Sequence, residues 1–380
     1  MISLIIMFVF CWFLLSATKL KYYLHMIQLL GYKNDKYLIW LEEHKDKKNF
    51  IYDKTYTVLF ISASLIFLIS PDYIKNNTII FPLFLILITS VFLIIRFITK
   101  YDAKKPLAFT QRAKRLYCMS LSLVIADIII TIGIVHILSK NILFYFPLWA
   151  GIAALQYYFC QYYFLLAIKL VEPIEEKINN NFYIEASNKI RKISKLVSVG
   201  ITGSYGKTST KFITETILKE KYKVLKTPDS YNTPMGISKV INNDLSEEYD
   251  VFIAELGATQ IGDINEVAAL TNPRIGVITS VGPCHLETFK SIDNIMRTKY
   301  ELIERLPNDG IAIFNYDNEY VKRLADKTFK EKILYGLENI ENTDIFATDI
   351  KVSSIGSTFT LCINDLGTIE CKTKLRPMTD

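Results

Sequence analysis

A glycine-rich stretch at residues 201–209, I-T-G-S-Y-G-K-T-S, contains the residue types of a nucleotide phosphate-binding loop. It follows an apolar run, Leu196–Ile201, that predicts a buried strand, and it precedes a segment whose apolar spacing predicts a helix. Between a strand and a helix, backbone N–H groups and the positive end of the helix dipole can bind an anion. Lys207 would reach the terminal phosphates, and the Thr208 hydroxyl could bind Mg²⁺. The predicted phosphate-binding residues are Gly203, Ser204, Tyr205, Gly206, Lys207, Thr208 and Ser209.

The first glycine of the general G-x-x-x-x-G-K-[ST] pattern is replaced by Ile201. The alternative interpretation of this stretch is therefore a Gly-Lys turn that opens an ordinary helix. The segments downstream favour the nucleotide site, because each one predicts a strand or helix that carries a polar side chain. They are a strand ending near Glu255, a strand followed by His285, a helix at residues 291–306 carrying Lys299, and a strand ending with Asn315 and Asp317.

Strands that alternate with helices, each strand delivering a site residue at its carboxyl end, predict a mostly parallel α/β sheet. The phosphate-loop variant [ST]-G-x-x-G-K-[ST]-[ST] and the order of these motifs resemble the Mur ligase family, which are ATP-dependent amide ligases of cell-wall synthesis. E-L-G-A at Glu255–Ala258 and H-L-E at residues 285–287 are similar to the MurF-type branch. Residues 230–236, S-Y-N-T-P-M-G, occupy the place of its substrate loop, so Asn232 and Thr233 are the predicted substrate contacts.

The resemblance implies a central ATP-binding domain at residues 196–380 and a two-step reaction. A precursor carboxylate would attack ATP to form an acyl phosphate, which the amine of an amino acid or dipeptide would then displace. Lys207, His285 and Lys299 are the implied catalytic residues, and Asn315 and Asp317 are the implied nucleotide contacts. The implied Mg²⁺ ligands are Thr208, Glu255, His285 and a carbamylated Lys299.

The first part of the chain predicts membrane helices. The sequence is 51% hydrophobic with a mean hydropathy of +0.23, and the excess is concentrated in the first 170 residues. Spans of about 20 apolar residues are long enough to cross a bilayer as helices. Residues 1–168 are therefore predicted to form a transmembrane region, followed by a linker helix at 169–195 that begins near Pro173. The five predicted spans are Met1–Thr18, Thr55–Pro71, Asn76–Ile95, Leu116–Ser139 and Asn141–Ile168.

Charge distribution predicts the orientation of these spans. Eight lysines lie between Lys19 and Lys54, and seven basic residues lie between Arg96 and Arg115, whereas Lys75 and Lys140 are the only basic residues of the alternate connections. Basic loops stay cytoplasmic, so a multi-pass protein of the cell membrane with its ligase domain in the cytoplasm is predicted. The lipid bilayer explains the net charge of +6, and no nucleic-acid-binding motif is present. Asp127, inside the fourth span, indicates a functional site, a helix–helix hydrogen bond or a wrongly placed span boundary.

Two departures from the family affect the predicted function. The membrane region stands where MurF-type enzymes have a soluble UDP-sugar domain, which leaves a peptidoglycan precursor, a lipid-linked form of it or a similar carboxylate as the substrate. The later motifs and the C-terminal domain of the family do not occur before Asp380, so a truncated ligase that is inactive alone is expected. The alternatives are a poly-gamma-glutamate synthetase-like ligase and a non-catalytic ATP-binding membrane fragment.

Overall fold

Long apolar helices make up the first part of the chain, as the composition predicts. The computed structural model describes residues 2–44, 48–69, 79–98, 105–138, 142–229 and 231–374, in two compact units, Met1–Lys177 and Ile178–Asp380. The helices of the first unit are α1 (Ile2–Leu29), α2 (Asn34–Glu43), α3 (Lys48–Ile69), α4 (Ile80–Ile98), α5 (Gln111–Leu138), α6 (Ile142–Phe159) and the start of α7 (Tyr163–Lys192).

Four described helical segments are long and apolar enough to cross a membrane: Ser3–Leu29, Ile51–Ile69, Ile80–Ile98 and Gln111–Ile137. The fifth predicted span, 141–168, is not a single helix, because a 3₁₀ turn at Cys160–Tyr162 separates α6 from α7. Helix α7 also runs through Pro173, where the sequence predicted a helix start. Lys75, Lys100, Lys104, Lys140 and Ser230 lie outside the described residues.

A carboxylate on α3, Asp53, connects four helices of the first unit. Its Oδ2 lies 3.1 Å from Lys19 Nζ of α1, and its Oδ1 lies 2.9 Å from Arg96 Nη1 of α4. The hydroxyl of Tyr157 on α6 donates to the same Oδ1 at 2.7 Å. Lys19 is fully buried and also donates to the carbonyls of Tyr157 and Tyr158. It is therefore an interior residue of α1 rather than the first loop residue that its sequence position predicted.

Asp127, the acid inside the fourth predicted span, is bonded to another helix. The hydroxyl of Tyr163, at the start of α7, donates to Asp127 Oδ2 of α5. Of the interpretations of Asp127, the structure supports the helix–helix hydrogen bond.

The second unit is built on one sheet whose strand order is β2-β3-β1-β4-β5-β6-β7-β8-β9. Pairing is parallel from β2 across to β7 and antiparallel for β7, β8 and β9, so the predicted mostly parallel α/β sheet is confirmed. The strands are β1 (Val197–Thr202), β2 (Val224–Lys226), β3 (Val251–Glu255), β4 (Ile275–Ile278), β5 (Ile311–Asn315), β6 (Lys332–Gly336), β7 (Ile345–Ser353), β8 (Gly356–Ile363) and β9 (Gly367–Thr373).

Helices cover the parallel part of this sheet. They are α8 (Lys207–Leu218), α9 (Pro234–Asp244), α10 (Asp263–Thr271), α11 (Leu286–Phe289), α12 (Ile292–Arg305) and α13 (Glu319–Asp326), with a 3₁₀ turn at Ile340–Asn342. Gly200 of β1 allows close packing, because a Cβ there would lie 2.9 Å from Leu302 Cδ1 of α12. In the register of the sheet, Ile201 pairs with Glu255 on one side and with Val277 on the other. The carboxyl ends of β1, β3 and β4 are therefore level, and this edge is where α/β sheets bind ligands.

We predict that Asp53→Asn destabilises the protein by about 3–5 kcal/mol, because it leaves two cations without their shared carboxylate. Thermal and denaturant unfolding of the full chain in detergent measures the effect. Asp35→Asn is the matched control, since Asp35 is exposed on α2 and should change stability by less than about 0.5 kcal/mol. Equal stability of the two variants would show that the Asp53 contacts contribute nothing.

Candidate functional site

The predicted phosphate loop connects β1 to α8, as its sequence position requires. Gly203 has φ +155° and Gly206 has φ +82°, and Gly206 caps the start of α8. A Cβ at Gly203 would lie 2.1 Å from Thr279 Oγ1, so any larger residue there would displace the Thr279 side chain. The loop thus directs the N-terminal N–H groups of a twelve-residue helix toward the edge of the sheet. This is the geometry of an anion-binding site.

The segment after β4 fixes the shape of the loop. Ser204 N donates to the carbonyl of Ser280 at 2.7 Å, and Tyr205 N donates to Ser280 Oγ at 3.2 Å. Ser204 Oγ accepts from Gly282 N at 3.0 Å and from Cys284 Sγ at 3.2 Å. These contacts hold the loop rigid from outside its own sequence, and the sequence analysis did not assign Ser280 or Cys284 to the site.

Lys207 is the first residue of α8, and its side chain lies along the loop. Its Nζ donates to the carbonyls of Gly203 at 2.7 Å and Ser204 at 3.3 Å. Burial lowers the pKa of Lys207, and the Glu255 carboxylate partly opposes that shift. The ammonium is therefore held beside the loop, as a phosphate-binding lysine must be.

Glu255, the last residue of β3, is buried and lies next to Thr208. Thr208 Oγ1 donates to Glu255 Oε2 at 3.0 Å. Lys211 Nζ donates to the same oxygen at 2.9 Å, and Asn232 Nδ2 donates to Oε1 at 3.4 Å. A hydroxyl and a carboxylate in contact beside a phosphate loop suit Mg²⁺, which prefers oxygen ligands. The two predicted ligands of the first metal are therefore adjacent.

A cavity of about 340 Å³ opens at this edge of the sheet. Gly203, Ser204 and Lys207 line it from the phosphate loop, and Asn232 and Thr233 line it from the predicted substrate loop. His285 and Lys299 line it from the segments that follow β4. The structure therefore brings seven of the predicted site residues together around one space.

Lys299 is buried on α12 and borders the cavity. Burial lowers its pKa to about 8, and the positive charge of Lys207 adds to the shift. A lysine with this pKa is partly neutral near physiological pH, so its nitrogen can act as a nucleophile.

His285 occupies a left-handed backbone position, with φ +50°, at the start of the short helix α11. Its side chain is exposed, and its ring makes no hydrogen bond to another residue that the structure describes. Within the same residues, no three His, Cys, Asp or Glu side chains are grouped as a metal site. An unmodified lysine has no acceptor for a cation. His285 and Lys299 therefore fit a second metal only if Lys299 carries an added oxygen ligand.

The two predicted substrate contacts differ in their local roles. Thr233 caps α9, since its Oγ1 accepts from Gly236 N at 3.3 Å. The Asn232 carbonyl accepts from Gly257 N at 3.0 Å, and a Cβ at Gly257 would lie 2.7 Å from the Asn232 side chain. Gly257 thus lets the loop that contains Asn232 approach the end of β3.

Asn315 and Asp317, the predicted nucleotide contacts after β5, do not line the cavity. The Asp317 carboxylate accepts from the backbone N–H groups of Leu337, Glu338 and Asn339. Burial alone would raise the pKa of Asp317, but these backbone hydrogen bonds outweigh it and lower the pKa. In this structure the Asp317 side chain holds the loop after β6. The predicted loop residues Tyr205, Gly206, Thr208 and Ser209 also lie outside the cavity lining.

Residues 201–378 match the model of the Mur ligase middle domain. The UDP-N-acetylmuramoyl-tripeptide--D-alanyl-D-alanine ligase of Escherichia coli (strain K12) is 36% identical over 163 residues, which are 43% of this chain and 36% of that protein. The ligase of the same name from Mycobacterium leprae (strain TN) is 38% identical over 133 residues, which are 35% of this chain and 26% of that protein.

Among solved structures, the MurF ligase from Thermotoga maritima in complex with ADP has a TM-score of 0.47 and 28% sequence identity, covering 51% of this chain and 44% of that chain. The match covers about a third of the length of the first curated relatives. The family model and the curated relatives support the Mur ligase family, and within it the MurF type, for residues 201–378.

We predict that Lys299→Met stabilises the protein at pH 7 by on the order of 3 kcal/mol, because an ammonium is no longer buried. The pKa of Lys299 is about 8 in the folded protein, against an ordinary value of 10.5. Between these two pH values the folded protein therefore binds fewer protons than the unfolded chain. Wild-type stability therefore rises with pH in this window, and the advantage of Met should fall toward zero. Unfolding in CO₂-free buffer at several pH values measures this.

Lys239→Met, on the exposed side of α9, is the matched control and should show no such pH dependence. A difference between Lys299→Met and wild type that stays constant from pH 7 to 10.5 would contradict the lowered pKa.

Proposed function

We propose that this chain is a membrane-anchored, ATP-dependent amide ligase that acts on a peptidoglycan precursor or a similar carboxylate. The observation that carries the proposal is the grouping of Lys207, Asn232, His285 and Lys299 around one cavity at the carboxyl ends of parallel strands. Glu255 and Thr208 lie in contact beside it. Charge stabilisation of phosphates and positioning of a carboxylate are what acyl-phosphate chemistry requires.

The reaction has two steps. A substrate carboxylate oxygen attacks the γ-phosphorus of ATP, the bond to the β-phosphate oxygen breaks, and ADP leaves. The amine then attacks the acyl carbon, the C–O bond to phosphate breaks, and the nitrogen loses a proton. The α8 N-terminus and Lys207 bind the phosphates, while Asn232 and the loop around it orient the carboxylate. The relatives' names support D-alanyl-D-alanine as the amine and UDP-N-acetylmuramoyl-tripeptide as the carboxylate donor.

Thr208 and Glu255 would hold one Mg²⁺, and His285 with a carbamylated Lys299 would hold another; the metals supply neutralisation of charge around the phosphates. Lys299 is suited to carbamylation, since a pKa of about 8 leaves about a tenth of its amine neutral at pH 7. The neutral nitrogen attacks the carbon of CO₂ and loses a proton. This replaces an ammonium by an anionic oxygen ligand.

Membrane anchoring is supported by the four apolar helical segments of the first unit. With the N-terminus outside and basic loops in the cytoplasm, five crossings place residues 196–380 on the side that contains ATP. Helix α6 and the start of α7 would together make the fifth crossing. A carboxylate donor attached to a membrane lipid suits such a membrane-anchored enzyme.

Since inactivity of these residues alone is expected, the test supplies the full chain in detergent with the C-terminal domain of a MurF-type ligase. This mixture should release ADP and phosphate and form an amide only when ATP, Mg²⁺, a carboxylate donor and an amine are all present. UDP-N-acetylmuramoyl-tripeptide and its lipid-linked form are the donors, D-alanyl-D-alanine is the amine, and mass spectrometry detects the product. Lys299→Ala and Lys299→Arg should both be inactive, because the lysine acts through the carbamate oxygens. Short carboxylates should partly restore Lys299→Ala.

Near-normal activity of Lys299→Arg would reject the carbamate and leave a phosphate-binding cation. Incorporation of glutamate instead of D-alanyl-D-alanine would favour the poly-gamma-glutamate type of ligase. Nucleotide binding without product for any donor would favour a non-catalytic ATP-binding protein.

We predict that Ala108→Cys, between α4 and α5 in a cysteine-free background, reacts with a membrane-impermeant maleimide only after cells are permeabilised. Basic residues around this position would keep the loop in the cytoplasm. Lys75→Cys is the control, predicted to be labelled in intact cells. Labelling of Ala108→Cys in intact cells would reverse the proposed orientation.

A further inference from the structure

Lys211 is a fully buried lysine that the proposed reaction does not use. It lies on α8 three residues after Thr208, so the two side chains share one face of the helix. Burying an ammonium is unfavourable unless it is paired and hydrogen-bonded. The structure gives Lys211 both: an ion pair with Glu255 Oε2 at 2.9 Å and a hydrogen bond to the carbonyl of Asp229.

The contacts of Glu255 are unevenly divided between its two oxygens. Oε2 accepts from Lys211 and from Thr208, at 2.9 and 3.0 Å. Oε1 has one long contact, 3.4 Å from Asn232 Nδ2. The ammonium therefore fixes the orientation of the carboxylate through Oε2, whereas Oε1 makes fewer and longer hydrogen bonds.

The second bond of Lys211 reaches the segment that leads to the predicted substrate loop. Asp229 has a left-handed backbone, with φ +38°, and lies three residues before Asn232. Asn232 and Thr233 line the cavity. One ammonium, carried by the phosphate-binding helix, thus contacts the end of β3 and the segment that precedes the substrate loop.

We propose that Lys211 is a positioning residue that orients Glu255 and the segment around Asp229 for binding Mg²⁺ together with the nucleotide. The inference rests on the proposed function. Partners that orient a metal ligand typically change metal affinity by about 10- to 100-fold when they are removed. The Lys211 ammonium also repels an incoming cation, so its removal would strengthen Mg²⁺ binding if charge alone mattered. Weaker Mg²⁺ binding after its removal would instead indicate positioning.

The test measures nucleotide affinity of the full chain in detergent, with Mg²⁺ and with EDTA, by titration calorimetry with ATP. Lys211→Met should lower the Mg²⁺-dependent gain in affinity by at least about tenfold and leave the affinity in EDTA within about twofold. In a Glu255→Gln background, Lys211→Met should add less than about twofold, because the lysine acts through the carboxylate.

Lys226→Met is the matched control. Lys226 Nζ lies 4.5 Å from the centre of the Phe212 ring, and Lys211 Nζ lies 5.3 Å from the same ring. Lys226 pairs with Glu215 at 2.8 Å instead of Glu255. The control removes the same charge next to the same ring, and it should leave the Mg²⁺-dependent gain unchanged.

An unchanged or larger Mg²⁺-dependent gain in Lys211→Met would overturn the proposal, as would equal losses in EDTA and in Mg²⁺. If Lys211→Met does not fold, Lys211→Leu, which also removes the donor to Glu255, is judged by the same criterion. Absence of Mg²⁺-dependent nucleotide binding in the wild type would overturn this inference and the proposed function together. Loss of binding in Lys207→Ala with no effect in Lys211→Met would overturn this inference alone.

Discussion

The candidate site depends on one buried carboxylate, Glu255. Four hydrogen-bonding partners define its surroundings: its own backbone N–H is bonded to Thr227 Oγ1, and its side chain to Thr208, Lys211 and Asn232. A buried carboxylate is stable as an anion only when donors surround it, so these partners constrain each other. The strand end, the phosphate-binding helix and the loop after β2 therefore have one compatible arrangement, and that arrangement forms the cavity.

Parallel strand order explains why residues far apart in the chain meet at this carboxylate. Strand β1 lies between β3 and β4, and its chain continues outward to β2 before returning. The segments after β1, β3 and β4 consequently leave the sheet at one edge, where the phosphate loop, Glu255 and the 279–285 segment are neighbours. Gly200 brings α12 close enough for Lys299 to reach the same edge. The sheet thus brings these segments together, and the hydrogen bonds of side chains such as Ser204 and Glu255 fix their local arrangement.

Local sequence patterns predicted much of the second unit, because strands and tight turns depend mainly on residues that are neighbours in the chain. Buried β-branched runs gave the parallel strands, and the glycines of the phosphate loop occupy backbone angles that favour glycine. Features set by long-range packing were missed. Phe212 and Ile217, whose apolar spacing predicted α8, are 39% and 66% exposed, whereas Lys211 is the buried residue of this helix. Lys211 could have been noticed as a charge one helical turn after Thr208, but its partners are contributed by other segments. Asp317 shows the same limit, since its backbone partners lie about twenty residues further along the chain.

Because of the Asp53 contacts, the helices of the first unit cannot be exchanged one by one for other apolar helices. A generic hydrophobic anchor works as an independent helix, and one such helix can stand in for another. Helix α1 is different, because Lys19 lies inside the bundle against Asp53 of α3 and the Tyr157 carbonyl of α6. A plain apolar helix in its place would remove one cation from a carboxylate shared by helices that are distant in sequence. The first unit is therefore a specific tertiary structure, and exchanging α1 for an unrelated apolar helix would not reproduce it.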